Sequence, residues 1–203
     1  MKGSLIIIAF FALGIAVGLN SSFFTLHSSF FTLHSSSLIL YALMFCVGIS
    51  IGSDTKTLKS FRSVNPRLMM LPIMTIVGSL AGTAAASALL PHRHLFDCLA
   101  IGSGFGYYSL SSIFITEYKG AELGTIALLA NIMREILTLL CAPLFAKYFG
   151  KLAPISMGGA TTMDTTLPII TRTAGQDFII VSIFHGFCVD FSVPFLVTFF
   201  CSL

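Results

Sequence analysis

Long apolar runs separated by short polar segments make up nearly the whole chain. The runs lie at residues 4–19, 38–52, 68–90, 96–115, 123–146 and 178–203. An apolar helix needs about 20 residues to cross the hydrocarbon core of a bilayer. The pattern therefore predicts an all-α polytopic membrane protein, with residues 1–203 forming a single membrane-embedded domain.

Two glycine-rich polar segments interrupt this pattern, one at residues 102–112 and one at residues 158–168. Neither could easily form an uninterrupted apolar helix. Non-helical backbone at membrane depth is tolerated where it is buried in protein or lines a water-filled cavity. The two segments are therefore expected to be re-entrant or broken helices that line a transport pathway.

The basic residues set the expected orientation. Four of them occupy the loop at 53–67: Lys56, Lys59, Arg62 and Arg67. Cytoplasmic loops of membrane proteins carry an excess of Lys and Arg. This loop and the N-terminus, with Lys2, are therefore expected in the cytoplasm.

The later loops depend on whether the run at 96–115 spans the membrane or re-enters. If it spans, three basic residues lie outside: Lys147, Lys151 and Arg172. If both broken segments re-enter, those three lie in the cytoplasm, and only Arg93 and Lys119 lie outside. The second arrangement fits the positive-inside rule better. We therefore predict about five transmembrane helices, a periplasmic C-terminus, and two re-entrant units in the inverted arrangement that transporters use to form a midplane site.

Composition narrows the function classes. Of 203 residues, 56% are hydrophobic and 9% are charged, and the formal net charge of +3 provides no basic surface for nucleic acid. The five cysteines show no CxxC or Cys/His spacing, so we expect free thiols and no metal site. HExxH, GxSxG and Walker motifs are absent from the sequence, so we expect neither an enzyme nor a cofactor.

The helix at 123–146 carries polar residues deep within its apolar length. Asn131, Glu135 and Thr138 share one face by their spacing, and Arg134 adjoins them. An ionisable group at this depth costs about 2.5–3.5 kcal/mol on insertion scales. Arg134 is expected either to pair with a carboxylate such as Glu135 and pin helices together, or to tune the proton affinity of a carboxylate in a binding site.

Asp164 is the sharpest candidate in the second broken segment. Four threonine hydroxyls surround it in the sequence: Thr161, Thr162, Thr165 and Thr166. A structural interpretation makes Asp164 a helix N-cap at a re-entrant tip. The functional interpretation is a carboxylate that binds a cation or exchanges a proton.

His185 and Asp190 interrupt the last apolar run. At about 100° per residue they lie about 140° apart around the helix, so they are not expected to share a face. His185 is either a proton relay or a helix–helix hydrogen bond. Asp190 lies nearer the outer half and is expected to reach the membrane interface.

Three polar blocks together resemble the bacterial lysine exporters of the LysO type. They are residues 103–111, residues 131–135, and residues 159–168 with His185-Gly186 downstream. The resemblance implies export of L-lysine across the bacterial inner membrane, and we predict that this export is an exchange with protons. It also implies dependence on intramembrane acidic residues, one of which maps onto Asp164. Tyr108 and Ser109 of the first block, with Thr162 and Thr165 beside Asp164, complete the candidate binding residues.

Two departures from the family pattern shape the remaining expectations. Family members carry a further N-terminal membrane module, so we expect a small separate membrane protein to supply it, or the chain to pair with itself. A second acidic partner of Asp164 is expected in that module. Asn131 stands where relatives can have aspartate. Two other functions stay open: export of another cationic amino acid or cation, and a non-transporting scaffold whose charges lock helices together.

Overall fold

A computed structural model of the chain describes residues 45, 49, 66–90 and 93–203. The first two predicted spans, apart from those two single positions, and the loop that follows them lie outside the described residues. Residues 55–203 form one compact unit, and every helix named below belongs to it. The assignment of residues 1–203 to a single domain stays a prediction.

The described residues form helices joined by short turns, with no strand among them, which confirms the all-α prediction. Its α-helices are α1 Pro66–Met69, α2 Leu71–Ser87, α3 Leu95–Gly102, α4 Tyr108–Lys119, α5 Ala121–Phe149, α6 Ala153–Gly158, α7 Leu167–Ala174 and α8 Ile179–Cys201. Two short 3-10 helices, Gly159–Met163 and Gln176–Phe178, precede α7 and α8.

Three of the described helices are long and apolar enough to cross a membrane. They are Arg67–Ser87, Ala121–Phe149 and Gln176–Cys201, and they confirm the predicted spans at 68–90, 123–146 and 178–203. Half of the residues in the most apolar stretch of the last span are buried inside the protein, but only 11% of those in the corresponding stretch of the first span are. The helix α8 is therefore the central one, while α2 exposes apolar side chains such as Ile73 at the surface of the described unit.

The helices α3 and α4 form a re-entrant hairpin, called here the first hairpin. Lys119, at the end of α4, lies 3.5 Å (Nζ to Oδ1) from Asp97, at the start of α3. Arg93 before the hairpin pairs with Glu122 after it. Because both ends of the segment meet on one side, the chain enters and leaves by the same face, as predicted.

The break in the first hairpin is shorter than the polar run suggested. Residues 103–107 are non-helical, but helix resumes at Tyr108. The Ser111 hydroxyl donates to the Tyr107 carbonyl at 2.8 Å, and the Ser112 hydroxyl donates to the Ser109 carbonyl at 3.2 Å. Serine is compatible with a membrane helix when its hydroxyl bonds back to the preceding turn, so these serines did not mark an end of helix.

The helices α6 and α7, with the 3-10 helix between them, form the second hairpin. Lys151 before it lies 5.9 Å from the ring centroid of Phe178, which follows it. Ile155 from α6, Ile170 from α7 and Val181 from α8 are packed in one apolar cluster at that end. The second hairpin therefore also enters and leaves by one face.

The two hairpins enter from opposite ends of the bundle. The helix α5 starts at the base of the first hairpin, called the Arg93 end, and finishes at the base of the second, called the Lys151 end. Of the described basic residues, four lie toward the Lys151 end: Arg67, Lys147, Lys151 and Arg172. This is the inverted arrangement that the distribution of basic residues predicted. Which end faces the cytoplasm stays a prediction.

Candidate functional site

The tips of the two hairpins contact each other inside the bundle. The Ala160 amide of the second tip donates to the Phe105 carbonyl of the first at 3.0 Å. Phe105 is fully buried with φ 46°, and Gly106 and Gly159 have φ 95° and 64°. Left-handed backbone is uncommon for bulky residues and inexpensive for glycine. A Cβ on Gly159 would collide with the Phe105 carbonyl oxygen, so glycine is what allows the tips to approach.

Asn131 of α5 fixes the first tip. Its Oδ1 accepts from the Gly106 amide at 2.8 Å, and its Nδ2 donates to the Ile101 and Ala127 carbonyls at 3.2 and 2.9 Å. The residue is 4% exposed. The side chain thus gives an acceptor to the Gly106 amide, which lies in the break of the helix, and this is a structural role.

Arg134 of α5 holds the second hairpin. Its Nε donates to the Met157 carbonyl at 3.0 Å, and its Nη2 donates to the Ser156 carbonyl at 3.0 Å. Its Nη1 donates to the Ser79 hydroxyl of α2 at 3.1 Å. These carbonyls belong to the end of α6, where the helix dipole favours a cation.

The predicted Arg134–Glu135 pair is not formed. Glu135 is half-buried, and within the described ranges it makes no hydrogen bond or ion pair. Neighbouring residues on a helix point about 100° apart, so the two side chains leave α5 in different directions. The Met157 and Ser156 carbonyls of the second hairpin accept the hydrogen bonds that the Glu135 carboxylate was expected to accept.

His185 joins three elements. Its Nδ1 lies 3.2 Å from the Thr162 hydroxyl of the second tip, and its Nε2 lies 2.9 Å from the Thr75 hydroxyl of α2. Thr162 also donates to the Ser182 carbonyl at 2.9 Å. His185 and Thr162 are both fully buried. Of the two roles predicted for His185, the helix–helix hydrogen bond is present.

A hydroxyl stripe on α2 was not predicted. Thr75, Ser79 and Thr83 recur every four residues along one face of that helix. Thr75 contacts His185, Ser79 contacts Arg134, and Thr83 packs against Gly102 at the first tip. The i, i+4, i+8 spacing inside an apolar span was the signal that could have identified these residues.

Asp164 is exposed at the second tip. Its Oδ1 accepts from the Thr165 amide at 2.6 Å and lies 3.4 Å from the Thr165 hydroxyl. The N-cap interpretation of Asp164 is wrong, because α7 starts at Leu167 and its N-cap residue is Thr166. The carboxylate therefore keeps free acceptor capacity toward the surroundings of the tip.

Asp190 does not reach the surface of the described unit, contrary to the expectation. It is 7% exposed on α8 and interacts electrostatically with Asp164 and with Tyr107 of the first hairpin. Gly186, one turn earlier on α8, packs against Met163, which directly precedes Asp164. Because protein surrounds α8 on several sides, His185 and Asp190 are both buried although they lie on different faces.

Tyr108 and Ser109 lie in the first turn of α4, where Tyr108 is half-buried and Ser109 is exposed. Among the described residues, neither side chain forms a hydrogen bond to another candidate residue. The structure thus groups Thr162 with His185 and Asp164 with Thr165. It leaves Glu135, Tyr108 and Ser109 apart from both groups.

Two cavities meet at Arg134 and Ser79. The larger, of about 610 Å³, lies toward the Lys151 end, and its lining includes Met74, Thr75, Gly78, Ser79, Arg134 and Ser156. The smaller, of about 380 Å³, lies toward the Arg93 end, and its lining includes Ser79, Gly82, Thr83, Gly102, Asn131 and Arg134. The Arg134–Ser79 hydrogen bond therefore separates two spaces on opposite sides of the bundle centre.

Comparisons with known proteins identify the family to which the chain is similar. The profile of the family described as lysine exporter LysO matches residues 8–201. Lysine exporter LysO of Escherichia coli K12 is 35% identical over 188 residues, which cover 93% of this chain and 60% of that protein. A candidate lysine exporter of Haemophilus influenzae Rd is 36% identical over 164 residues, covering 81% of this chain and 83% of that protein. No solved structure matches the chain.

Proposed function

Because the chain belongs to the lysine exporter LysO family, we propose that it exports L-lysine across the bacterial inner membrane in exchange for protons. The observation that carries this proposal is the meeting of two oppositely inserted hairpins at their tips, with an exposed carboxylate, Asp164, on one of them. Inverted hairpins of this kind are how many transporters build a site that can open to either face.

Asp164 would bind the substrate ammonium or the exchanged proton. Its carboxylate is exposed, and its bonds within the described chain come only from the neighbouring Thr165. Competition of H⁺ and lysine for one carboxylate would couple the two fluxes. Asp190, buried on α8 and interacting electrostatically with Asp164, is a candidate for the second acidic group that the family resemblance had assigned to the N-terminal module.

The other predicted site residues divide into two groups. Asn131, Thr162 and His185 are buried and hydrogen-bonded within the protein, so we assign them to holding the tips in place. Thr165, Tyr108, Ser109 and Glu135 keep their proposed place around the substrate path. Arg134 connects the two groups, because it holds the second hairpin and also lines both cavities.

The chain spans 60% of the length of its Escherichia coli relative. The proposed exporter is an assembly of this chain with a partner. That partner is a small membrane protein or a second copy of the chain. The positive-inside rule places the Lys151 end in the cytoplasm. The N-terminus would then be cytoplasmic and the C-terminus periplasmic.

The test is lysine flux in proteoliposomes that contain the full chain with whatever membrane protein co-purifies with it. An imposed proton gradient should drive L-lysine uphill, and Asp164→Asn should abolish that flux. Asp177→Asn, at the base of the second hairpin, removes a carboxylate away from the tips and should leave the flux unchanged.

Two results would replace this function with another. Flux of a different cationic amino acid or cation, without lysine flux, would mean that the protein is an exporter with a different substrate. Absence of any flux from correctly folded protein, together with normal folding of Asp164→Asn, would identify a membrane scaffold. Full activity of a lone protomer would contradict the proposed partner.

A further inference from the structure

We propose that Arg134 and the larger cavity form a binding site for the carboxylate of an amino acid. This inference rests on the proposed export function and names how that substrate is recognised. Asp164 accounts for a cationic group of lysine, but lysine also carries an α-carboxylate. A site at membrane depth that takes the whole zwitterion needs a partner for that negative charge as well.

The first argument is the donor capacity of Arg134. A guanidinium carries five N–H donors. Three polar contacts occupy it, through Nε, Nη1 and Nη2, to the Met157 carbonyl, the Ser79 hydroxyl and the Ser156 carbonyl. Each terminal nitrogen therefore keeps one N–H, from which a carboxylate can accept a charge-assisted hydrogen bond.

The second argument is the unbalanced charge. Among the described residues no carboxylate forms an ion pair with Arg134. Neutral carbonyls satisfy hydrogen bonds but do not cancel the charge. A cation inside a membrane domain is rarely retained without a partner or a function, and an anionic ligand would supply both.

The third argument is the cavity itself. Its volume of about 610 Å³ lies within the range of about 300–1,000 Å³ that small-molecule sites occupy. Hydroxyls of Thr75, Ser79 and Ser156 line its walls beside Arg134, while Met74 and Phe145 contribute apolar surface. The wall can thus contact polar groups at one point and a methylene chain beyond it.

Two glycines of α2 allow the role of the larger cavity to be tested by substitution. A Cβ added to Gly78 of α2 meets no heavy atom within 4 Å, and Gly78 lines the larger cavity. Gly82, one turn later on the same helix, has the same open surroundings but lines the smaller cavity. An added Cβ at either position therefore contacts none of the described residues, and a leucine side chain is expected to extend into the cavity that its glycine lines.

The experiment measures ligand affinity by titration calorimetry on the full chain in lipid nanodiscs. The ligands are L-lysine, cadaverine, which lacks the carboxylate, and L-norleucine, which lacks the side-chain ammonium. Cadaverine should bind about tenfold or more weakly than L-lysine, since it loses a charge-assisted contact. Gly78→Leu should weaken the binding of L-lysine by a similar factor. Gly82→Leu should change the affinity for L-lysine by less than about twofold.

Arg134→Gln adds a direct test of the guanidinium. It should bring the affinities for L-lysine and cadaverine together, because the group that distinguishes them is gone. If Arg134→Gln fails to fold, Gly78→Leu still decides the question, since it leaves all three Arg134 contacts intact.

The outcomes separate this site from the export function. Equal affinities for L-lysine and cadaverine, or an unchanged L-lysine affinity in Gly78→Leu, would overturn the carboxylate site while cation export stands. L-norleucine could bind to the unmodified protein but not to Gly78→Leu, while no lysine flux is detected. That result would support the carboxylate site and reject lysine as the substrate.

Discussion

The two hairpins share one architecture and differ in chemistry. Each is a short helix, a glycine-containing break and a second short helix, followed by a long span. The first tip, from Ser103 to Gly106, is uncharged and buried, and Asn131 bonds its backbone. The second tip presents Asp164 and Thr165 outward, and its inner side is bonded to α8 through Thr162.

Their bases differ as well. At the first base Arg93 and Lys119 are each paired with a carboxylate. At the second base Lys151 lies against the Phe178 ring, and within the described ranges it has no carboxylate partner. The comparison assigns a structural role to the paired charges of the first base, while the exposed carboxylate, Asp164, lies on the second hairpin.

The largest expected effect comes from separating the tips. Gly159→Ala places a methyl group against the Phe105 carbonyl at a backbone conformation that alanine disfavours. The left-handed conformation costs about 1–2 kcal/mol, and forced repacking adds about 1–3 kcal/mol. We expect a large loss of folded protein, measured by size-exclusion chromatography and thermal unfolding in detergent.

Gly150→Ala is the matched control for that substitution. Gly150 also has a positive φ, 91°, but nothing lies within 4 Å of an added Cβ. It should therefore show the conformational cost alone. Equal losses in the two variants would mean that contact between the tips contributes nothing to stability.

A smaller effect is expected at the anchor of the first tip. Asn131→Leu removes three hydrogen bonds and leaves the Gly106 amide buried without its acceptor. An unsatisfied buried polar group costs about 1–3 kcal/mol, so the melting temperature should fall. Asn131→Asp keeps the acceptor and should lose less; an equal loss in both variants would contradict the assigned role of Oδ1.

The loss of stability should be smaller when Thr162, which anchors the second tip, is replaced. Thr162→Val keeps the shape but removes the hydroxyl that contacts the Ser182 carbonyl and His185. We expect a loss of about 1–2 kcal/mol in thermal unfolding. Thr165→Val is the control, since its exposed hydroxyl should contribute less than about 0.5 kcal/mol. A larger loss at Thr165 than at Thr162 would reverse the assignment of inner and outer sides.

The smallest effect is expected at the first base. Lys119→Gln removes the ion pair with Asp97, whose two side chains are 28% and 19% exposed. Pairs with solvent access contribute about 0–1 kcal/mol, so unfolding should change little. If export were instead lost while stability held, the first base would belong to the transport path, and its description as purely structural would be wrong.

Much of the fold followed from local patterns. The three described spans lie where the apolar runs place them, and the glycine-rich segments mark both re-entrant tips. Both are properties of consecutive residues, since lipid selects apolar helices and glycine permits close backbone approach and positive φ. Asp164 was correctly located at a tip for the same reason, although its N-cap interpretation failed.

The sequence by itself determined which segments cross the membrane, which re-enter it, and which side chains could carry charge there. Only the tertiary structure decided their surroundings: Arg134 bonds to the second hairpin and not to Glu135, and Asp190 is buried inside the protein. The physical reason is distance along the chain. Arg134 meets carbonyls more than 20 residues away, and such contacts depend on how whole helices pack, which no local pattern encodes.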